Sequence, residues 1–337
     1  MIYLSVVIPV RNEERFVAHT LDELARQEYD KSRYELIVVD GQSTDATCSV
    51  VEKFARAHTD VNVRLYRNPG RLSSRARNIG IRQARGTLIA VIDGHVHIPS
   101  QSLFSAMERI HSEHGAQCLA RPAPLGVPGL ISGTSCWIAV ARKSWLGHSS
   151  KSFIYSDFEG YVDPMSSGFA YESSVFDKVG YFDESFDAAE DVEFHYRLKQ
   201  AGITAYTSPG LLIYSYPRES LPALFRQQVR YGAGRARLVR KHRDAFTVET
   251  LIPAGILIFF VSAPAVVILW QMIWPMGLLY GFMMAVYWSV LLGTGVFEAL
   301  RQRRFWPGIL VATAVCITHL GLGWGFVKTL FSNGSGR

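Results

Sequence analysis

Cysteine is scarce in this 337-residue chain, and its four copies, Cys48, Cys118, Cys136 and Cys316, show no C-x-x-C spacing and no metal-site pattern. That excludes a disulfide-stapled secreted scaffold and a zinc module, and it fits unpaired thiols in a reducing compartment. A cleavable signal peptide is also missing from view, because the chain enters the strand-like run YLSVVIPV (3–10) almost at once. The C-terminal third, in turn, is short of charge. LIPAGILIFFVSAPAVVILW (251–270), PMGLLYGFMMAVYWSVLLGTGVF (275–297) and WPGILVATAVCITHLGLGWGFV (306–327) are nearly charge-free runs, the last two separated by the knot Arg301, Gln302, Arg303, Arg304. A helix needs about 20 apolar residues to cross a bilayer. Three membrane spans are therefore expected, since a soluble fold would need a very large core to hide such runs.

Acids are nearly absent from the stretch that precedes these runs. Between 218 and 243, Arg218, Arg226, Arg230, Arg235, Arg237, Arg240, Lys241 and Arg243 are opposed only by Glu219, so this side is expected to face the cytoplasm. The formal charge of +6 comes largely from this collar. It reads as a contact with anionic lipid headgroups and not as a nucleic-acid surface. The expected layout is a soluble head over 1–215, a basic interfacial helical segment over 216–250 and a transmembrane region of about three helices over 251–331.

The head is organised by alternation. YLSVVIPV and YELIVVDG (34–41) are β-rich, and between them Phe16, Val17, Leu21 and Leu24 recur at helical spacing. A second round follows: a helix in STDATCSVVEKFARAH capped by Ser43, a strand in VNVRLYRN, a helix in SSRARNIGIRQAR and a strand in TLIAVID. This predicts an α/β fold with a mainly parallel, Rossmann-like sheet and a crevice at the carboxyl ends of its strands. Residues 122–167 are rich in Gly, Pro and Ser without a clear period, and predict long active-site loops. Regularity returns with AEDVEFHYRLKQAG, a helix with acids in its first turn that ends at Gly202.

Three acids fall at one edge of this sheet: Asp40 ends the second strand, Asp93 ends a later one in LIAVIDGHVHIPS, and Asp191 opens a helix. Each has an ordinary reading as well. Asp93-Gly94-His95 can be a polar turn, Asp40 can start an Asx turn with Gly41, and Glu190-Asp191 can simply complement a helix dipole.

Six stretches together are more specific: SVVIPVRNEE, VVDGQSTDAT, NPGRLSSRARNIGIRQARG, IDGH, GYFDESFDAAEDVEFHYRL and LFRQQVRYGAGRARLVRKH. In this order they resemble the inverting glycosyltransferases of family 2, with a GT-A nucleotide-sugar fold, from Ser5 to about His242. Within the family the likeness is to succinoglycan-type exopolysaccharide enzymes with C-terminal spans.

The resemblance implies transfer of a sugar from a UDP-sugar donor to a polyprenyl-diphosphate-linked acceptor at a bacterial plasma membrane. It implies that Asp40 receives the uracil N3 and that Pro9, Arg11 and Glu13 line base and ribose. Arg77 and Gly94 would stand with them on the donor side, with Asn78 bonding the first loop, and Arg75, Arg82 and Arg85 read as a solvated helix face. Asp93 would hold a divalent cation. The family usually has Asp-x-Asp, and here His95 replaces the second acid, so the expected donor set is Asp93 with His95, and Mn²⁺ stands ahead of Mg²⁺. His97 is either a further ligand or a loop histidine. Asp191 is the expected general base. Glu190 and the Gln-x-x-Arg-aromatic element (Gln227 or Gln228 with Arg230 and Tyr231) are expected on the acceptor side, although Gly232 and Gly234 argue against a regular helix there. Two other readings remain: a processive synthase working as an oligomer, and a membrane-anchored nucleotide-binding regulator with a degenerate site.

Overall fold

The structure, a computed structural model, describes residues 1–127, 129, 131–148, 152–269 and 274–332. The chain divides into two compact units, Met1–Val127 with Ser150–Tyr216, and Pro128–Ser149 with Pro217–Arg337.

In the first unit the chain runs β1 (Leu4–Val10), α1 (Val17–Ala25), β2 (Tyr34–Asp40), α2 (Thr47–Ala57), β3 (Asn62–Arg67), α3 (Ser73–Gln83), β4 (Leu88–Val91), β5 (Val96–His97), α4 (Leu103–His114) and β6 (Cys118–Ala120). After α5 (Gly133–Lys143), which belongs to the second unit, it continues with β7 (Gly160–Val162), β8 (Gly168–Glu172), α6 (Ser174–Val179), α7 (Glu190–Gln200), β9 (Ala205–Thr207) and β10 (Tyr214–Ser215). The main sheet has the order β3-β2-β1-β4-β8-β6-β9-β7, and β5 pairs separately with β10. Pairing is parallel from β3 to β4, whereas β8 runs against both of its neighbours and β7 against β9.

The runs of β1, β2 and β4 are largely apolar because both faces are covered, whereas the edge strand β3 (NVRLYR) is partly exposed. Leu4, Val6 and Ile8 of β1 pack with Leu21, Leu24, Phe104 and Met107 on one side, while Val7 packs with Ile37, Ala76, Ile81 and Phe194 on the other. Since β1 lies between β2 and β4, the strand order reverses at β1, and the crevice opens beyond the carboxyl ends of β1 and β4. Pro9 sits in β1 at no cost to the ladder. Val7 accepts from Ile92 N at 3.0 Å, and β4 pairing ends at Val7, so two residues on the missing N–H points beyond the end of β4.

The second unit holds α5, α8 (Leu221–Lys241), α9 (Val248–Val261), α10 (Ala263–Ile268), α11 (Trp274–Arg301) and α12 (Gly308–Phe331). Among the described residues three helical stretches are long and apolar enough to cross a membrane, Val248–Ile268, Trp274–Arg301 and Gly308–Phe331. The last residue of the first expected span, Trp270, lies outside the described residues. Exposed Ile258, Val261, Leu279 and Phe282 show that α9 and α11 bury little of their apolar surface in the protein, which is costly in water and natural in lipid.

Two expectations are corrected in this unit. Gly232 and Gly234 do not interrupt α8, which runs as one helix through both. A Cβ on Gly232 would strike the Leu322 carbonyl, and one on Gly325 would strike that of Val229, so the glycines are where α8 and α12 touch backbone to backbone. Residues 133–143, expected as loop, are helical because Trp137, Ile138 and Ala141 pack with Leu224, Leu291, Val311 and Val315. Positions 128, 130 and 149–151 of that region lie outside the described residues.

Candidate active site

The loops after β1 and β2 are sewn together by short polar side chains. Asn12 N donates to Ser43 Oγ at 2.9 Å, Thr44 N to Asn12 Oδ1 at 2.8 Å, Glu13 N to Thr47 Oγ1 at 2.8 Å, and Ala46 N to Glu14 Oε2 at 2.8 Å. Ser43 is thus spent on the first loop and does not cap α2. That helix begins later, at Thr47, whose N–H bonds Asp45 Oδ1 at 3.0 Å. Asp40, level with Val10 in the sheet, is 1% exposed, and its two carboxylate oxygens accept from Ser43 N at 3.2 and 3.3 Å. The turn that Asp40 starts with Gly41 therefore closes on Ser43. Asn12, Gln42, Arg71 and Ala189 all adopt positive φ of 55–61°, so local strain gathers in the loops after β1, β2 and β3 and in front of α7.

The Asp93-Gly94-His95 segment follows β4 against the first loop. A Cβ on Gly94 would approach Val10 Cγ1 to 2.6 Å, which is why the middle position is glycine. Thr20 of α1 holds the segment by donating to the Gly94 carbonyl at 3.0 Å. His95 Nδ1 lies 2.9 Å from Glu13 Oε1. The contact is close but not aligned as a hydrogen bond, so Glu13 sets a carboxylate beside this imidazole without fixing its tautomer. Asp93, with 41% of its side chain exposed, supplies a carboxylate beside it. Mg²⁺ and Mn²⁺ held largely through substrate phosphates need only one or two protein ligands, so Asp93 and His95 fit such an ion without a closed cage. His97 does not join them: its Nδ1 contacts Glu23 Oε1 at 2.5 Å.

Arg77 of α3 connects the two acidic segments. Its Nη2 is 3.6 Å from Asp93 Oδ1 and 3.4 Å from Glu190 Oε1, and its guanidinium lies 5.4 Å from the centre of the Phe182 ring. Burial works to lower the Arg77 pKa, but Glu190, Asp93 and Asp191 outweigh it and the net direction is up. Burial likewise works to raise the Asp93 carboxyl, and Arg77, His95 and Arg121 more than offset it, holding Asp93 below the ordinary value. Both groups therefore stay charged through the neutral range. Below α7, Tyr171 OH and His195 Nε2 share a 2.7 Å hydrogen bond. Burial, with a further push from Arg77, takes His195 down to about 3, so this imidazole is a neutral support.

Asp191 is in the first turn of α7, half-buried, with Oδ1 accepting from Val192 N at 2.9 Å. The turn that delivers it is pinned by α3. Asn78 Nδ2 donates to the Phe182 carbonyl at 2.8 Å and to Glu184 Oε1 at 3.0 Å, Phe182 N donates to Asn78 Oδ1 at 2.9 Å, and Ser74 Oγ donates to the Phe186 carbonyl at 3.0 Å. Asn78 was expected to bond the first loop and instead braces the acidic one. Four hydrogen bonds at about 1 kcal/mol each exceed the roughly 1–2 kcal/mol that a left-handed Ala189 costs. Arg197 adds contacts to the Val179 carbonyl, to the Tyr181 carbonyl at 2.6 Å and to the wholly buried Glu193 at 2.9 Å.

Pro9, Arg11, Glu13, Asp40, Arg77, Asp93, Gly94, His95, Glu190 and Asp191 all lie in the first unit: Pro9 and Asp40 at the ends of β1 and β2, Arg77 within α3, Glu190 and Asp191 at the start of α7 and the others on loops. Gln228, Arg230 and Tyr231 lie on α8 of the second unit, where fully buried Gln228 accepts from Arg142 at 3.2 Å and Tyr231 shares a 3.2 Å hydrogen bond with Gln227. Ser74, Tyr171, His195 and Arg197 carry no sequence signal that marks them as supports of the site, because each acts on a partner distant in the chain or in a neighbouring turn. Arg75 and Arg82 face Glu184 at 3.8 and 3.9 Å, on the exposed side of α3.

A mainly parallel sheet whose order reverses at β1, with paired ionic groups gathered at its carboxyl edge, has the framework of a GT-A nucleotide-sugar transferase. Comparison with known families agrees: residues 5–180 match the model described as glycosyl transferase family 2, and residues 135–328 match glycosyl transferase family group 2. The chain belongs to family 2 of the glycosyltransferases and is an enzyme of that class. It is 27% identical over 327 residues to the succinoglycan biosynthesis protein ExoA of Rhizobium meliloti (strain 1021), covering 96% of this chain and 94% of that one. It is 28% identical over 269 residues to the dolichyl N-acetyl-alpha-D-glucosaminyl phosphate 3-beta-D-2,3-diacetamido-2,3-dideoxy-beta-D-glucuronosyltransferase of Methanococcus voltae, covering 78% and 81%. Among solved structures, the mannosyltransferase PcManGT from Pyrobaculum calidifontis, in complex with GDP-Man and Mn²⁺, shares the fold with a TM-score of 0.60 at 19% identity, over 97% of this chain and 87% of that one.

Proposed function

We propose that this enzyme moves a sugar, with inversion, from a UDP-sugar to a saccharide acceptor carried on a polyprenyl diphosphate, at the cytoplasmic face of a bacterial plasma membrane, in the making of an exopolysaccharide or other surface glycan. The observation that carries the reading is the pairing of Arg77 with both Asp93 and Glu190, beside Asp191 at the crevice. Three apolar helices and the cationic collar support a lipid-borne acceptor. The names of the two relatives, one for succinoglycan biosynthesis and one for a dolichyl-phosphate-linked sugar, point the same way. In this reading residues 1–215 form the catalytic head, 216–250 lie at the interface and 251–331 span the membrane.

Pro9, Arg11, Glu13 and Asp40 receive the nucleoside, Asp40 at the uracil N3. Asp93 and His95, with Gly94 allowing the close approach, hold a divalent cation, Mn²⁺ ahead of Mg²⁺, which when bound neutralises the diphosphate. Arg77 holds Asp93 and Glu190 in place and lends positive charge to the same region. Glu190 is occupied by Arg77, which leaves Asp191 to take the proton as the acceptor hydroxyl oxygen bonds to the anomeric carbon and the bond from that carbon to the phosphate oxygen breaks. Gln228, Arg230 and Tyr231 of α8 serve the acceptor side.

The test is transfer by the full chain in detergent micelles, with UDP- and GDP-linked sugars in parallel, Mn²⁺ or Mg²⁺, and a polyprenyl-diphosphate saccharide or the same saccharide free in water. A UDP-sugar should give lipid-linked product and released UDP, with the free saccharide reacting at least about tenfold more slowly, as expected when a lipid anchor confines the acceptor near the site. Equal rates on the two acceptors would remove the lipid assignment, and product from GDP-sugars alone would remove the uracil assignment of Asp40.

A further inference from the structure

A second set of ligand-type side chains lies on the α1 side of the 94–97 segment and is not part of the reaction just described. His19 and Glu23 are one turn apart on α1, and His97 is on β5. One carboxylate oxygen, Glu23 Oε1, is 2.8 Å from His19 Nε2 and 2.5 Å from His97 Nδ1. The ligand atoms of all three residues lie within 4.8 Å of one another, and among the described residues this is the one group of three or more that meets that condition. The rings of His19 and His97 are nearly parallel, 9° apart with centroids at 5.8 Å. The set is also held from outside. Glu23 Oε2 accepts from Ile98 N at 2.7 Å, and Tyr214 of β10 stacks on His97 with centroids 6.0 Å apart.

We infer that His19, Glu23 and His97 form a site for a borderline divalent cation of the Zn²⁺ and Co²⁺ class, fastening α1 to β5 behind the donor loop. Two imidazoles and one carboxylate favour such ions over Mg²⁺ or Ca²⁺, which take oxygen ligands. Three protein ligands leave a position for water, and metal–ligand distances of about 2.0–2.2 Å require the nitrogen–oxygen contacts to widen by less than about 1 Å. In the metal-free protein a neutral imidazole faces the Glu23 carboxylate through its N–H, since an ionised carboxylate only accepts. On binding, that proton moves to the other nitrogen of a neutral ring, or is released if the ring is an imidazolium. The location gives the ion leverage on the catalytic segment, because Thr20, the residue after His19, also bonds the carbonyls of Gly94 and Val96 at 3.0 and 3.2 Å.

The full chain, stripped with EDTA and dialysed in detergent, should be titrated with CoCl₂ by calorimetry and by visible absorption, as wild type, Asp93→Asn, His19→Ala and His19→Cys. Asp93→Asn removes the donor-site carboxylate, so an ion it still binds belongs elsewhere. One Co²⁺ per chain should remain in Asp93→Asn and should raise its melting temperature. His19→Ala, at a side chain that is 53% exposed and outside the donor site, should fold and retain its transfer activity. It should weaken this Co²⁺ site by more than about 100-fold, beyond the cost of losing an outer-shell partner. His19→Cys should restore binding and add a thiolate charge-transfer band. No Co²⁺ bound by Asp93→Asn, or binding in His19→Ala equal to wild type, would overturn the assignment and leave Glu23 as a hydrogen-bond anchor for two histidines.

Discussion

Asp191→Asn should lower single-turnover transfer by about 10²–10⁴-fold, the usual worth of a positioned general base, while nucleotide affinity stays near that of the wild type. Asparagine keeps the size of the side chain and can still accept from Val192 N through Oδ1, as the carboxylate does at 2.9 Å. What it loses is the capacity to take a proton. The neighbouring acid is a poor substitute, since Glu190 is buried and 3.4 Å from Arg77. A carboxylate that only complements the N-terminus of α7 would behave differently. Its replacement would cost a few tenths to 1 kcal/mol of helix stability and leave the chemistry alone. Calorimetric UDP binding and a rapid-quench single turnover on the same preparation separate the two cases, and near-normal turnover would take Asp191 out of the mechanism.

The second large effect is expected at Asp93. Asp93→Ala should abolish transfer and the metal-dependent part of donor binding, because Asp93 is the carboxylate proposed to hold the cation, whereas Glu13, the other acid beside His95, contacts the imidazole itself. The change also takes one of two acids from Arg77. Asp93→Asn preserves shape and distinguishes loss of metal affinity from loss of packing around the guanidinium. Donor binding measured with and without Mn²⁺ should show a metal-dependent gain in the wild type and none in either variant. Full activity of Asp93→Ala in the presence of EDTA would refute the role.

The first half of the head was legible because its signals are local. β1 and β2 are continuous apolar runs, and α1 between them carries a clear helical stripe, so the βαβ unit and the acids at its strand ends followed from spacing alone. Signals that depend on distant partners were not legible. The period of α5 is hidden because Trp137, Ile138 and Ala141 are buried by residues that come 80 or more positions later, such as Leu224 and Val311. Gly232 reads as a helix breaker until α12 is seen to need the space. Asn78 looked like a partner for the nearest catalytic loop, yet it reaches 104 residues along the chain to Phe182. His95 and His97 appeared to share one strand face, but each is claimed by a different acid near or on α1, Glu13 or Glu23. Charge complementarity chose these pairings, and the sequence carries no marker of which acid lies nearest.

The central claim, that Asp191 deprotonates an acceptor for direct attack at the anomeric carbon, is tested most directly by the stereochemistry of the bond formed. Wild-type enzyme supplied with an α-linked nucleotide sugar should yield a β-linked product, read from the anomeric proton coupling in the NMR spectrum of the released glycan. An α-linked product would require a double displacement or a front-face route, and would contradict the assignment of Asp191 as the base.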